Sequence, residues 1–300
     1  MNGQTPLRKI APTLMGVLVA VVAVGVTGLA APLVQAPQSL KVFISVDMEG
    51  LAGVATASDV NASGPDYQHF RKIMAAETNA AIEGAVRGGA TEIVVRDSHG
   101  GKQNLLPADL SQRAQLIRGA STGPKNMMEG IDNSFGAAIF IGYHARAGTP
   151  DAVLAHTSTG NVIDFSINGV SLPEAGYNAL VAGLYDVPVI FVAGDKAFVD
   201  QARGLFGNIE AVATKAAIGG GAITGPAPGV VQLQIQEGVE RALAGRARIK
   251  PYKMDGPFTM VLKVNKDRPL YSGATRVRPG ESTFEHADLL EVLNAFNAMK

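Results

Sequence analysis

From Lys41 onward the chain alternates short apolar runs with amphipathic segments. That alternation restricts it to an α/β architecture on a largely parallel sheet flanked by helices, because each crossover between parallel strands lays a helix against a sheet face. Lys41 to Val46 reads as a buried strand, Phe70 to Val86 as a helix with Ala-rich faces, and Glu92 to Val95 as the next strand after a Gly88-Gly89 stop. Ala114 to Ile117, Ala137 to Ile141 and Val187 to Val192 continue the strand series. Phe165 to Ile167 and Val170 to Leu172 flank an Asn168-Gly169 pair, which favours a tight hairpin. Helices are expected over Glu174 to Leu184, around Asp195 to Leu205 and from about Val230 to Ala244, with a late strand at Met260 to Val264. The glycines at Gly219 to Gly221 and the Gly225 to Gly229 stretch read as a flexible passage. Ser282 and Glu285 have the spacing of a capping box, which predicts His286 in the exposed first turn of a C-terminal helix. The expectation is one domain over residues 41–300, with a metal-binding core at about 41–206 and a smaller C-terminal α+β lobe at about 207–300.

The first forty residues follow another logic. Arg8 and Lys9 precede an uncharged stretch from Ile10 to Leu40, the order of a secretory signal. Gly28 and Ala30 suit a signal peptidase, giving a cut between Ala30 and Ala31 and leaving 31–40 as a linker. The apolar run exceeds the ~7 to 15 residues of an ordinary signal core and reaches the ~20 needed to span a bilayer. An uncleaved anchor through residues 10–40 therefore stands beside a cleaved signal for residues 1–30. Both predict an exported protein, periplasmic or otherwise extracytoplasmic.

Charge and cysteine content narrow the chemistry. The 26 basic residues balance 26 acidic ones, so the charge argues against a basic footprint for nucleic acid. With no Cys, thiolate metal sites, disulfides and cysteine nucleophiles are excluded, and any metal rests on carboxylates and the 5 histidines. The sequence has no phosphate-binding P-loop and no His-Glu-x-x-His helix. The Met127-Met128 pair reads as core packing and not as a copper site.

Three strands run directly into polar donors. The first is followed by Asp47-Met48-Glu49-Gly50, and residues two apart on extended chain present their carboxylates to the same side. The second is followed by Asp97-Ser98-His99-Gly100-Gly101 and the third by Gly142-Tyr143-His144. Taken alone, each histidine is more often a structural hydrogen-bonder than a ligand. Together they lie where open α/β sheets bind ligands, outside the carboxyl ends of the strands, and independent coincidence is the weaker explanation. Glu174 follows Pro173 at a helix start, where the macrodipole favours an ionised carboxylate. His156 sits in an irregular polar stretch and is a candidate proton-transfer group, and Asp97 is a candidate for orienting a ligating histidine. Imidazoles and carboxylates without sulfur suit Zn²⁺, Mn²⁺ or Fe²⁺, and extra carboxylates suit a two-metal site, which points to hydrolysis.

Ser45-Val46-Asp47-Met48-Glu49-Gly50, Asp97-Ser98-His99, Gly142-Tyr143-His144-Ala145-Arg146-Ala147, Glu174-x-Gly176-x-Asn178-Ala179 and the run from Val187 to Asp195 resemble the D-aminopeptidase family of zinc peptidases, peptidase family M55. The resemblance implies two zinc ions per subunit, held by Asp47, Glu49, His99, His144 and Glu174, with Asp47 bridging, and His156 as catalytic base or nucleophile. It further implies hydrolysis of N-terminal D-amino acids such as D-Ala from short peptides, and a ring-shaped homo-oligomer. Two other readings use the same ligands: a two-metal amidohydrolase acting on other small amides, and an exported peptide- or metal-binding protein without turnover.

Overall fold

The computed structural model describes residues 1–8, 11, 12, 16, 20 and 39–300. The signal or anchor reading of the apolar leader, with its Ala30–Ala31 cut, lies almost wholly outside the described residues. Among the described residues no helix is long and apolar enough to cross a membrane.

Residues Ser39–Lys300 form one compact unit. Its first half runs β1 (Lys41–Val46), α1 (Ala57–Val60), α2 (Tyr67–Arg87), β2 (Glu92–Asp97), β3 (Gln115–Ile117), β4 (Ala137–Tyr143), β5 (Val162–Ile167) and β6 (Val170–Ser171). Then follow α3 (Glu174–Leu184), β7 (Val189–Asp195), α4 (Lys196–Phe206), β8 (Glu210–Gly219), β9 (Ala222–Thr224), α5 (Pro228–Gly245), β10 (Phe258–Val264), β11 (Thr275–Arg278), β12 (Glu281–His286) and α6 (Leu289–Met299). A seven-stranded sheet has the order β3-β2-β1-β4-β7-β8-β9 and is parallel except where β9 turns back on β8. A five-stranded antiparallel sheet has the order β11-β12-β10-β5-β6.

The central strands β1, β4 and β7 are largely apolar on both sides because both faces of the sheet are covered. Val42, Ile44 and Val46 of β1 pack with α2 and α5, whereas Phe43 faces the core shared with α3, α4, α6 and the second sheet. Asn168 and Gly169 adopt φ of 50° and 80°, the left-handed pair that the β5–β6 hairpin needs. Met127 and Met128 are buried in the core, as their pairing suggests.

The structure redraws three expectations. Residues 207–300 enter both sheets: β8, β9 and α5 complete the parallel layer, while β10 pairs with β5 from earlier in the chain. The Gly219–Gly221 run is a hairpin turn between β8 and β9, not a loose passage. Ser282 and Glu285 belong to strand β12, and His286 is its last residue. Alternation outweighs the capping spacing there, because Ser282 and Phe284 face inward. The C-terminal helix is instead capped by Asp288, whose carboxylate accepts from the Leu290 amide at 2.9 Å.

Candidate metal centre

Close backbone contact brings β1 and β4 together at their carboxyl ends. The Asp47 amide donates to Ile141 O at 2.8 Å and the Gly50 amide to Gly142 O at 2.7 Å. A Cβ on Gly50 would lie 1.9 Å from Tyr143 O, and one on Gly142, whose φ is +71°, would lie 2.1 Å from Asp47 O. Only glycines permit this approach, and it sets Asp47 beside His144.

The side chains then converge. His99 Nδ1 lies 3.1 Å from Asp47 Oδ1 and 3.1 Å from Glu49 Oε2. His144 Nε2 lies 3.6 Å from Asp47 Oδ2 and 3.7 Å from Glu174 Oε1. His156 Nε2 lies 3.6 Å from the same Glu174 oxygen, and its ring stacks on that of His144 at 4.1 Å. Two triads result, Asp47/Glu49/His99 and His144/His156/Glu174, each with its donor atoms within 4.8 Å of one another. The five candidate ligands and His156 meet in one place, at the edge the strand ends predict.

Backbone carbonyls orient every ring. His99 Nε2 bonds Val60 O at 3.0 Å, His144 Nδ1 bonds Ala145 O at 3.0 Å, and His156 Nδ1 bonds Leu154 O at 2.9 Å. A ring nitrogen facing a carbonyl carries the proton, so the opposite nitrogen offers a lone pair to the cluster. Among the described residues His144 Nε2 is buried with no hydrogen-bond partner. A lone pair aimed at carboxylates without a proton between them fits a cation in that space.

Electrostatics agree with the donor set. Burial opposes a charge on His99, yet the Glu49 carboxylate and the contacts with Asp47 and Glu49 raise its pKa well above the ordinary imidazole range. His144 is likewise raised against burial, by Glu174, Glu49 and Asp47. Burial pushes Glu49 upward, but His99 outweighs it and the carboxyl is held far below its usual value. Both shifts show that the carboxylates set up a negative potential at His99 and His144, the potential that a cation in the same space would meet.

A layer behind the ligands was not read from sequence. Ser45 Oγ contacts Ser98 Oγ at 2.6 Å and Tyr143 Oη at 2.7 Å, and Asn178 Nδ2 donates to Tyr143 Oη at 3.1 Å. Ser45, Ser98, Tyr143 and Asn178 lie in the same motifs as the candidate ligands, and their hydrogen bonds tie the ends of β1, β2 and β4 to one another and to α3. Thr214 Oγ1 donates to Gly50 O at 2.6 Å, while Lys215 Nζ donates to Glu49 O at 2.5 Å and Leu51 O at 2.6 Å. Asp97 does not orient a histidine side chain. Its oxygens accept from Asn104 N, Asn104 Nδ2 and Leu105 N at 2.6, 2.8 and 2.8 Å, which shapes the loop after His99.

The cluster opens into a cavity of about 440 Å³ whose wall includes Asp47, Glu49, His99, His156 and Glu174. Such a volume suits a small ligand.

Residues 40–298 match the family model for D-aminopeptidase, peptidase M55. A curated D-aminopeptidase of Bacillus subtilis (strain 168) is 35% identical over 266 residues, covering 87% of this chain and 96% of that protein. The solved structure described as a Zn-dependent D-aminopeptidase, DppA from Bacillus subtilis, a self-compartmentalizing protease, superposes with a TM-score of 0.79 at 32% identity, covering 86% of this chain and 96% of that one. On the extent of these matches and on the strand-end cluster, the chain belongs to the D-aminopeptidase family, peptidase M55.

Proposed function

We propose that this protein is a zinc-dependent aminopeptidase that releases N-terminal D-amino acids, D-Ala among them, from short peptides at a two-metal site. Asp47, Glu49 and His99 would hold one ion and Asp47, His144 and Glu174 the other. The observation that carries the reading is the division of the Asp47 carboxylate: Oδ1 lies 3.1 Å from His99 and Oδ2 3.6 Å from His144. Zinc, when bound, supplies a Lewis acid that polarises a carbonyl and makes water more acidic.

The chain's own residues do the remainder. With Nδ1 committed to Leu154 O, His156 presents Nε2 to the cavity, where it can accept a proton from the attacking water and return it to the departing amine. Glu174 Oε1 accepts from the Ser158 amide at 2.6 Å, which fixes the carboxylate between the two imidazoles. An acidic ligand or a metal would anchor the free amine of the substrate, and the shape of the cavity would set D selectivity. The leader implies that this hydrolysis occurs after export, and the self-compartmentalizing relative supports a homo-oligomer.

Zinc quantification on purified residues 31–300, paired with hydrolysis of D-alanyl against L-alanyl dipeptides, tests the proposal. Stoichiometric zinc with strong preference for the D-alanyl peptide is expected. A protein that takes up no metal, or cleaves both enantiomers at the same rate, overturns it.

A further inference from the structure

Two lysines and a serine in the cavity wall take no part in the chemistry above. Lys102 lies three residues beyond His99 and is only 9% exposed. It has a φ of 60°, a conformation that costs a residue with a Cβ and persists where the surroundings impose it. Its Nζ donates to Ser98 O, which leaves two N–H bonds free. Lys300 follows α6, so the second sheet and its helix deliver a side chain to the cavity wall. Its Nζ donates to Ser158 Oγ at 2.7 Å and Asn297 Oδ1 at 2.8 Å. Among the described residues neither ammonium forms an ion pair with a carboxylate.

Ser121 shares the wall with them. Among the described residues its Oγ is buried without a hydrogen-bond partner. The Gly119 amide donates to Lys102 O at 2.6 Å, so the segment carrying Ser121 is tied to the one carrying Lys102.

Buried charges are ordinarily paired, and unpaired buried hydroxyls are uncommon. Here two cations and one hydroxyl donor border the same cavity, and burial lowers the proton affinity of both lysines. The carboxylates nearest them, Asp47 and Glu174, are committed to the metals in the reading given above. The complement to this wall is an anion with two acceptor oxygens.

We propose that Lys102, Lys300 and Ser121 form a subsite for the free C-terminal carboxylate of the substrate, which confines the enzyme to peptides short enough to place that carboxylate in the cavity. The subsite rests on the aminopeptidase reading, because the substrate must enter with its amine at the metals and its carboxylate at this wall. A lysine is a compact charge that accepts a carboxylate without bidentate geometry, so two of them tolerate substrates of slightly different length.

The test compares D-Ala-Gly as the free acid with D-Ala-Gly amide in the zinc-loaded protein, for wild type, Lys102→Met and Lys300→Met. Wild type should prefer the acid in kcat/KM, mainly through KM. Each Met variant should lose about 10- to 100-fold more on the acid than on the amide, the value of a hydrogen bond to a charged group. Lys300→Arg should recover most of the preference, because it restores the charge. Equal losses on both substrates, or an undiminished preference for the acid, overturn the subsite.

Calorimetric binding of the reduced-amide analogue of D-Ala-Gly, again as acid and amide, reads the wall without turnover. If wild type hydrolyses neither peptide yet binds the acid analogue more tightly, and the Met variants lose that difference, the hydrolytic reading fails and the carboxylate subsite stands. If the variants bind both analogues as wild type does, the subsite fails by itself.

Discussion

His144 Nε2 points at Asp47 Oδ2 across 3.6 Å, fully buried, while the other nitrogen of the ring is held by Ala145 O at 3.0 Å. An imidazole fixed from behind and left facing a carboxylate is half of a coordination shell. Asp47 completes the argument, because its second oxygen faces His99.

On the proposed two-metal site, Asp47→Ala should abolish binding of both zinc ions, whereas Glu174→Ala should spare the ion assigned to His99. The outer partners of metal ligands alone are worth about 10- to 100-fold in affinity, so losing a shared ligand should exceed that range. Zinc per chain by atomic emission after dialysis gives the comparison. If Asp47→Ala retains as much zinc as Glu174→Ala, Asp47 is not shared.

His156 stands at the boundary between ligand and base. Its Nε2 is 3.6 Å from Glu174, and its side chain is 27% exposed, against 0% for that of His144. Exposure to the cavity favours proton transfer. His156→Ala should lower kcat by about 10² to 10⁴ with zinc content unchanged. Loss of one zinc together with the activity would instead make it a ligand.

The candidate ligands Asp47, Glu49, His99 and His144 were legible because they follow strands, and strand direction alone puts Asp47, His99 and His144 on one edge, while Glu174 was marked by its place at a helix start. The supporting layer was not, for physical reasons. Strand β8 is rich in Ala and has only Val212 and Ile218 as larger apolar residues, so its hydrophobic signal is weak, and Lys215 reads as a surface charge although it is buried against Glu49 O and Leu51 O. Ser282-x-x-Glu285 satisfies both a capping spacing and a strand alternation, and only pairing with β10 decides between them. Lys300 reaches the cavity because the antiparallel sheet sets the course of α6, a long-range arrangement without a local sequence mark.

The hydroxyls behind the ligands act through register. Tyr143 is fully buried and its Oη meets Ser45 Oγ and Asn178 Nδ2. Tyr143→Phe removes the shared atom and strands part of the hydrogen-bonding capacity of both partners, at a cost of about 1–3 kcal/mol. Zinc affinity should fall with stability, by about 10-fold or more, because the strand ends carrying Asp47 and His144 lose their common tie. Denaturant titration and competitive zinc chelation give the two readings, and unchanged zinc affinity would confine this layer to a packing role.

The leader makes a prediction about the mature chain. If Gly28 and Ala30 mark the signal peptidase site, intact-mass analysis of protein recovered from an exporting host should give a chain beginning at Ala31. A full-length mass found in the membrane fraction would establish the anchor instead.

Glu77 links the segment after β1 to pH. It lies fully buried in α2, accepts from the Ala52 amide at 2.8 Å through Oε1, and leaves Oε2 without a partner among the described residues. Burial raises its carboxyl from 4.5 to about 7, against the pull of the Ala52 hydrogen bond and of Lys215. A carboxyl whose pKa is higher in the folded state stabilises the fold while protonated. That contribution is whole below pH 4.5 and is lost as pH rises through about 7. At about 1.4 kcal/mol per pKa unit the full swing is about 3 kcal/mol. Lys215, pushed down by burial to about 8, works in the opposite direction and only at higher pH, where the unfolded chain binds the extra proton. Glu77→Gln keeps an acceptor for Ala52 but cannot ionise. Wild type should therefore lose stability relative to Glu77→Gln as pH rises from about 5 to about 7.5, read from urea unfolding of the zinc-loaded proteins, with zinc linkage common to both. A difference that stays flat across this range would mean that Glu77 is ionised throughout, its charge balanced by Lys215.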